Sequence, residues 1–313
     1  MINLDYFQNI NILLSIKNVF LIPEEERLME KKELIGLLNR DIADEHAAII
    51  RYLVHGWMEG EDTPLGSSLL SRSREEMWHM HWLGMIISQL GGEPNLVPAA
   101  YPYDPTSRAT MFKSYAEYEG KLIHHYNAEA DLVDDPHIKR VLQREAWESA
   151  IHAGKFRKIL GKLRPDEAEG LPGGELDLPK EFLDMLQEEV TRKNNELLQH
   201  IRYSWIFQKK DSLAWQLMDQ AMEKMKHIAH FAEDIGGNGI PPQFNPGNID
   251  KSKTIGKALK KALDDLRIAR ERHKTLRENN EIKKHAGLVI NLDLTIRQEQ
   301  YQAEELEGIV RKK

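Results

Sequence analysis

The 313-residue chain has no cysteine. That excludes disulfides, zinc fingers and cysteine-ligated iron–sulfur or rubredoxin centres, so any bound metal must rest on histidine, carboxylate or methionine. The absence fits a protein of the reducing cytoplasm, and a cytoplasmic location is the expectation. An excess of positive charge is lacking too. Forty-three Lys and Arg stand against 50 Asp and Glu, a net charge of −7. Nucleic acid is therefore not expected as a partner, because it would call for a basic stripe. No apolar run reaches the length of a membrane span, and no membrane association is expected. One apolar segment, residues 9–22 (NINILLSIKNVFLI), is interrupted by Lys17 and three asparagines, and no A-x-A cleavage pattern follows it. It reads as an extra helix or an extension docked on the rest, rather than a secretion signal. Strand signals are nearly absent.

What remains is strongly helical. Charged residues make up 30% and apolar residues 41%, the balance expected of helices with one buried stripe and one solvated face. The periodicity predicts helix A over 24–59, B over 64–90, C over 107–132 and D over 136–163. Gly91-Gly92 ends helix B, while Asp135 and Pro136 open helix D. Short A–B and C–D turns imply antiparallel hairpins. The Pro-rich stretch 93–105 (EPNLVPAAYPYDP) is a long crossover that sets the hairpins side by side as a four-helix bundle.

The pattern then repeats. ELLQHIRYSWIF (196–207) echoes EHAAIIRYLVHGW (45–57), and MEKMKHIAHFAEDIGGNG (222–239) echoes EEMWHMHWLGMIISQLGGEP (75–94). Internal duplication of this kind predicts two tandem bundles. The boundaries expected are 1–165 for the first bundle, 166–179 for a Gly-, Pro- and acid-rich linker, and 180–313 for the second. The last two helices are expected near 252–277 and 281–310.

The inward stripes contain acids. Leu38, Ile42, Glu45, Ile49 and Tyr52 share one face of helix A, so Glu45 stands where an apolar residue belongs. On helix B, Glu76 and His79 lie in the stripe of Leu69, Ser73, Leu83, Ile87 and Leu90. On helix D, Glu145, Glu148 and His152 lie in that of Ile138, Val141, Ile159 and Leu163. Helix C has a less regular stripe. Glu117 is its leading candidate, with Glu119 and His124 competing. Burying an unpaired carboxylate costs several kcal/mol, and two divalent cations would offset four such burials at once. One Glu from each of two helices, with Glu-x-x-His on the other two, is a core geometry for paired iron or manganese. Glu45 to Glu76 and Glu117 to Glu148 are both 31 residues apart. Equal spacing across the two hairpins would put the acids at one height.

At these residues the chain resembles bacterioferritins and their ferritin-like relatives, over about 34–163. EHAAIIRYLVHG (45–56) is similar to the family's first-helix motif, EEMWHMHWLGMIISQLGGEPNL (75–96) to its second, and EYEG (117–120) to its third. The resemblance implies Glu45, Glu76, His79 and Glu117 as ligands. Helix D departs from the family's Glu-x-x-His, offering either Glu145 with Glu148 or Glu148 with His152. The family's haem-ligating methionine corresponds to Met77, and to Met225 in the second half. The resemblance thus implies a haem between them as a lesser expectation. Lys224 stands where Glu76 stands, so the second bundle reads as a degenerate metal site.

The all-α chain is therefore expected to be two tandem ferritin-like four-helix bundles, one holding two iron (or manganese) ions. The activity implied is oxidation of Fe(II) with O2 or H2O2. The alternatives are a rubrerythrin-like peroxidase, a manganese catalase, or a metal-binding scaffold without catalysis. Tyr52 is expected to supply an electron or a hydrogen bond. A small homo-oligomer or pseudo-dimeric monomer is expected rather than a storage cage.

Overall fold

The computed structural model describes residues 30–174, 178–245 and 247–311. The apolar segment 9–22 lies outside the described residues. Among those described, every regular element is helical, and no helix is long and apolar enough to cross a membrane.

Helices α1 (Lys31–Glu59) and α2 (Pro64–Gln89) form the first hairpin, and α3 (Arg108–Leu132) and α4 (Pro136–Leu160) the second. Local chemistry marks their ends. Thr63 caps α2 by accepting from the Gly66 amide, with Pro64 as first helical residue. Asp135 caps α4 by accepting from the amides of His137 and Ile138. At the far end of α2 the chain turns through Gly91, whose φ of 77° favours glycine. The expected linker is structured in part. Pro165–Glu169 form a short helix, α5, and Gly170 accepts from the Arg108 amide at 2.9 Å.

The second half repeats the plan with α6 (Lys180–Ile206), α7 (Asp211–Gly236), α8 (Ile255–Arg277) and α9 (Ala286–Arg311), a 3-10 turn at Ile282–Lys284 preceding the last. In the first half the two hairpins close on a core, with α1 facing α3 through Tyr126 and Glu45 and α2 facing α4 through His79 and Glu148; in the second, α6 faces α8 through Glu189 and His273, and α7 faces α9 through Gln220 and Gln302. The halves meet through their first hairpins, α1 against α7 and α2 against α6. Trp205 of α6 lies against Gly84 of α2 and donates its indole N–H to His81 Nδ1 at 3.1 Å. Arg202 and Glu93 form an ion pair across the same seam. Two tandem four-helix bundles result, joined at that seam.

Candidate metal centre

Mid-height in the first bundle, α1 to α4 turn acids and imidazoles inward. Glu45, Glu76, His79, Glu119, Glu145 and His152 are all buried. Five of them form two clusters of ligand atoms, Glu45–Glu76–His79 and Glu76–Glu119–His152, with Glu76 in both; Glu145 stands beside them, near enough to feel the charges of Glu45, Glu76 and His79. His79 Nδ1 lies 2.8 Å from Glu76 Oε2 and 3.3 Å from Glu45 Oε2. His152 Nδ1 lies 2.7 Å from the other Glu76 oxygen and 3.6 Å from Glu119 Oε1. Glu76 thus shares one carboxylate between two histidines whose rings are nearly parallel, 21° apart.

The outward face of each imidazole is held by an acid from the opposite helix. Glu148 of α4 meets His79 Nε2 at 2.6 Å and is gripped by Arg144. Glu75 of α2 meets His152 Nε2 at 2.6 Å and is gripped by Arg72. An acid on one nitrogen fixes the tautomer and turns the other nitrogen's lone pair inward, as metal-binding histidines require. The terminal acids have matching supports. Tyr126 donates to Glu45, and Tyr52 donates to Glu119 at 2.5 Å. A cleft of about 540 Å³, lined by Trp78, Trp82 and Trp147 together with Glu75 and Glu148, opens beside the outer acids.

The electrostatics show a centre short of cations. Burial pushes the Glu45 carboxyl up to about 8, against the pull of His79. It carries Glu145 well above the carboxylate range, although His79 again opposes it. Burial opposes charge on His152, yet Glu76, Glu119 and Glu75 push that imidazole up to about 12. The hydrogen bond from His79 holds Glu148 down to about 2. Two imidazoliums therefore supply the positive charge in the centre. Even so, both oxygens of Glu145 and one of Glu119 are buried without a hydrogen-bond partner. Leaving a buried carboxylate so unsatisfied is costly. An O- and N-donor set with free lone pairs suits iron or manganese, so the residues present fit a metal pair.

The structure brings together Glu45, Glu76, His79, Glu145 and His152. It does not place Glu117 with them. That side chain is 62% exposed and lies 3.9 Å from Lys113, because Tyr118 and Glu119 take the inward face of α3. Glu148 lies behind His79 rather than in the cluster. His152 has Ser149, buried, three residues before it, where His79 has Glu76. Glu145 enters the core one turn earlier. On α3 the competing candidate Glu119, rather than Glu117, takes the inward place; Tyr126 and Glu75 carried no functional expectation, although one signal was available. Glu-x6-Tyr occurs on both α1 (Glu45, Tyr52) and α3 (Glu119, Tyr126). The tyrosines are exchanged in space, so Tyr52 serves Glu119 and not Glu45.

The equivalent place in the second bundle is filled by protein cations. Lys193 Nζ lies 2.9 Å from Glu196 and 2.5 Å from Glu299, and Lys224 Nζ lies 3.2 Å from Glu196. Burial works against the Lys193 charge, but Glu196 and Glu299 hold it above its usual range. His273 pairs with both Glu299 and Glu189.

Met77 and Met225 both line an apolar cavity in the seam between the bundles. Its volume is about 50 Å³, whereas pockets for ligands of such size run to roughly 300–1,000 Å³. The residues present do not fit a haem in this packing.

Residues 35–164 match the family model of the ferritin-like domain. No curated protein matches the chain.

Proposed function

From a first bundle of the ferritin-like superfamily, we propose a dimetal-carboxylate centre that binds Fe(II) and oxidises it with O2 or H2O2. The observation that carries the reading is Glu76, whose two carboxylate oxygens each face a different buried histidine within 2.8 Å. A carboxylate so placed can join two ions. Glu45 and Glu119 would complete the two positions, and Glu145, with both oxygens free, would bring a further carboxylate. Two iron ions held there would supply one electron each to the oxidant.

The chain's own residues do the rest. Tyr126 and Tyr52 orient the terminal acids and keep one lone pair of each occupied. Glu148 and Glu75 hold a proton on the outer nitrogen of each imidazole, so that Nδ1 is the nitrogen that gives up its proton to ligate. Arg144 and Arg72 neutralise those outer acids. The buried walls keep bulk water from the acids, which strengthens their hold on a cation. Manganese would use the same donors and consume peroxide, so metal content separates that reading. We place the protein in the cytoplasm, where Fe(II) persists, as a monomer or small homo-oligomer.

The test is anaerobic addition of Fe(II) to metal-free protein, followed by O2 or H2O2. Two ions per centre and oxidation above the buffer rate are expected, both lost in Glu76→Ala with helix content kept. Protein that takes up neither Fe nor Mn would overturn the proposal.

A further inference from the structure

One cluster of donors lies outside the centre. Asp41 on α1 and His125 and Glu129 on α3 place a carboxylate, an imidazole and a second carboxylate atom within 4.8 Å of one another. Asp41 and Glu129 are buried, whereas the His125 side chain is 38% exposed. His125 Nε2 lies 3.0 Å from Asp41 Oδ1 and 3.3 Å from Glu129 Oε1. The second oxygen of each acid, Asp41 Oδ2 and Glu129 Oε2, is buried and receives no hydrogen bond from a nitrogen or hydroxyl donor; the two carboxyl groups lie close enough to share a proton, and a cation would take that proton's place. Asp41 is wholly inaccessible, so water cannot serve it from the surface. Among the described residues the fixed cation paired with this cluster is Arg40, 4.0 Å from Glu129 Oε1 and 66% exposed. At that distance and exposure it contributes little.

The position of the cluster is informative. Asp41 precedes Glu45 by four residues, so the two acids are stacked one turn apart on the same face of α1. Glu145 on α4 is close enough to feel the charges of both Asp41 and Glu45. Asp44, half-buried and accepting from Tyr118 at 3.2 Å, adds negative charge on the solvent side. A line of carboxylates therefore runs from His125 at the surface through Asp41 and Glu145 to the centre.

We propose that Asp41, His125 and Glu129 form a third cation site, which captures a divalent transition-metal ion from solvent and stages it for the Glu76 centre. Two oxygens and one imidazole nitrogen suit Fe(II) or Mn(II). The half-exposed histidine leaves a solvent side by which a hydrated ion can enter. The staging role rests on the dimetal reading above; the binding site does not. A site lined by one sign of charge raises the local concentration of its ion and the on-rate by about 10–10³.

The test uses the full-length, metal-free chain. Bound Mn(II) is counted by equilibrium dialysis and elemental analysis, and the ions are located by metal-edge diffraction. Three ions in the wild type are expected, and two in Asp41→Asn and in Glu129→Gln, with helix content unchanged. His125→Ala, at the exposed edge, decides the matter if a buried variant fails to fold. Loading of the centre with Fe(II) at limiting concentration should slow about tenfold in each variant, with unchanged oxidation once the centre is full. Two ions in wild type and variants alike would overturn the proposal and leave the dimetal centre standing, the cluster then being an ion triad closed by protonated His125. A single ion, lost with Asp41→Asn, would instead keep this site and overturn the dimetal reading.

Discussion

Changing Glu148 to Gln should weaken one metal position and spare the other. Glu148 accepts from His79 Nε2 at 2.6 Å, is anchored by Arg144 at 2.8 Å, and has 15% of its side chain exposed. The amide oxygen of Gln can still accept that hydrogen bond, but the charge that makes His79 a strong donor to metal is gone. Removing such an outer partner costs about 10–100-fold in metal affinity, or roughly 1.4–2.7 kcal/mol. Glu75 does the same for His152 but has 38% of its side chain exposed. Screening is greater there, and Glu75→Gln should cost about tenfold or less. The assay is anaerobic titration of metal-free protein with Co(II), followed by its visible absorption and fitted to two dissociation constants. Each single variant should raise one constant, the larger rise in Glu148→Gln, and the double variant should raise both. Glu117→Gln, on the solvent face, should raise neither. Equal rises in both constants from either single change would refute the crossed arrangement of outer acids. So would an effect of Glu117→Gln as large as that of Glu148→Gln.

Metal uptake at pH 7 should release protons, since Glu45, pushed up to about 8, and His152, pushed up to about 12, must lose theirs to ligate. Calorimetry in buffers of different ionisation enthalpy should show the release, and affinity should rise from pH 6 to pH 8; a flat profile would contradict it. Glu45, like Glu129 and Glu233, which burial also pushes up to about 8, adds a pH dependence to the metal-free fold. Its folded value lies above that of the unfolded chain, so its contribution is complete below about 4.5 and is lost as pH climbs to about 8. Melting of metal-free protein should fall across that window, and metal should restore it. Lys193→Met should cost about 3 kcal/mol, because it removes one cation from the buried Glu299 and one from the partly buried Glu196, leaving them to His273 and Lys224. A urea midpoint unchanged from wild type would refute this. Gly84→Ala would put a Cβ 2.4 Å from the Trp205 ring. A loss of about 1–3 kcal/mol is expected from such overpacking, read from the same denaturation curve.

The helices and hairpins were legible because their signals are local. Pro136 after Asp135, Pro64 after Thr63 and the left-handed Gly91 each act within one turn. Glu45, Glu76 and His79 were legible because they interrupt clean apolar stripes. On α3 the stripe is itself polar, and Glu117 and Glu119, two residues apart, point to nearly opposite sides. Apolar patterning could not choose between them there. On α4 the expected motif is broken by Ser149, and Glu145 reaches in from the turn before. The crossing of Glu75 to His152 and Glu148 to His79 depends on how α2 and α4 pack. No local period encodes that.

The lysine-filled core of the second bundle bears on the order of assembly. A lysine ammonium is tethered to the chain and cannot diffuse away or be chelated, so this half takes its cations from its own sequence. Its α6 and α7 form the surface against which α1 and α2 pack. These two helices contribute Glu45, Glu76 and His79. One half of the chain thus acts as a permanent jig for the other. If the first bundle binds metal as proposed, its ligand helices should keep their spacing when metal is scarce, and returning ions would meet a cavity already shaped to receive them.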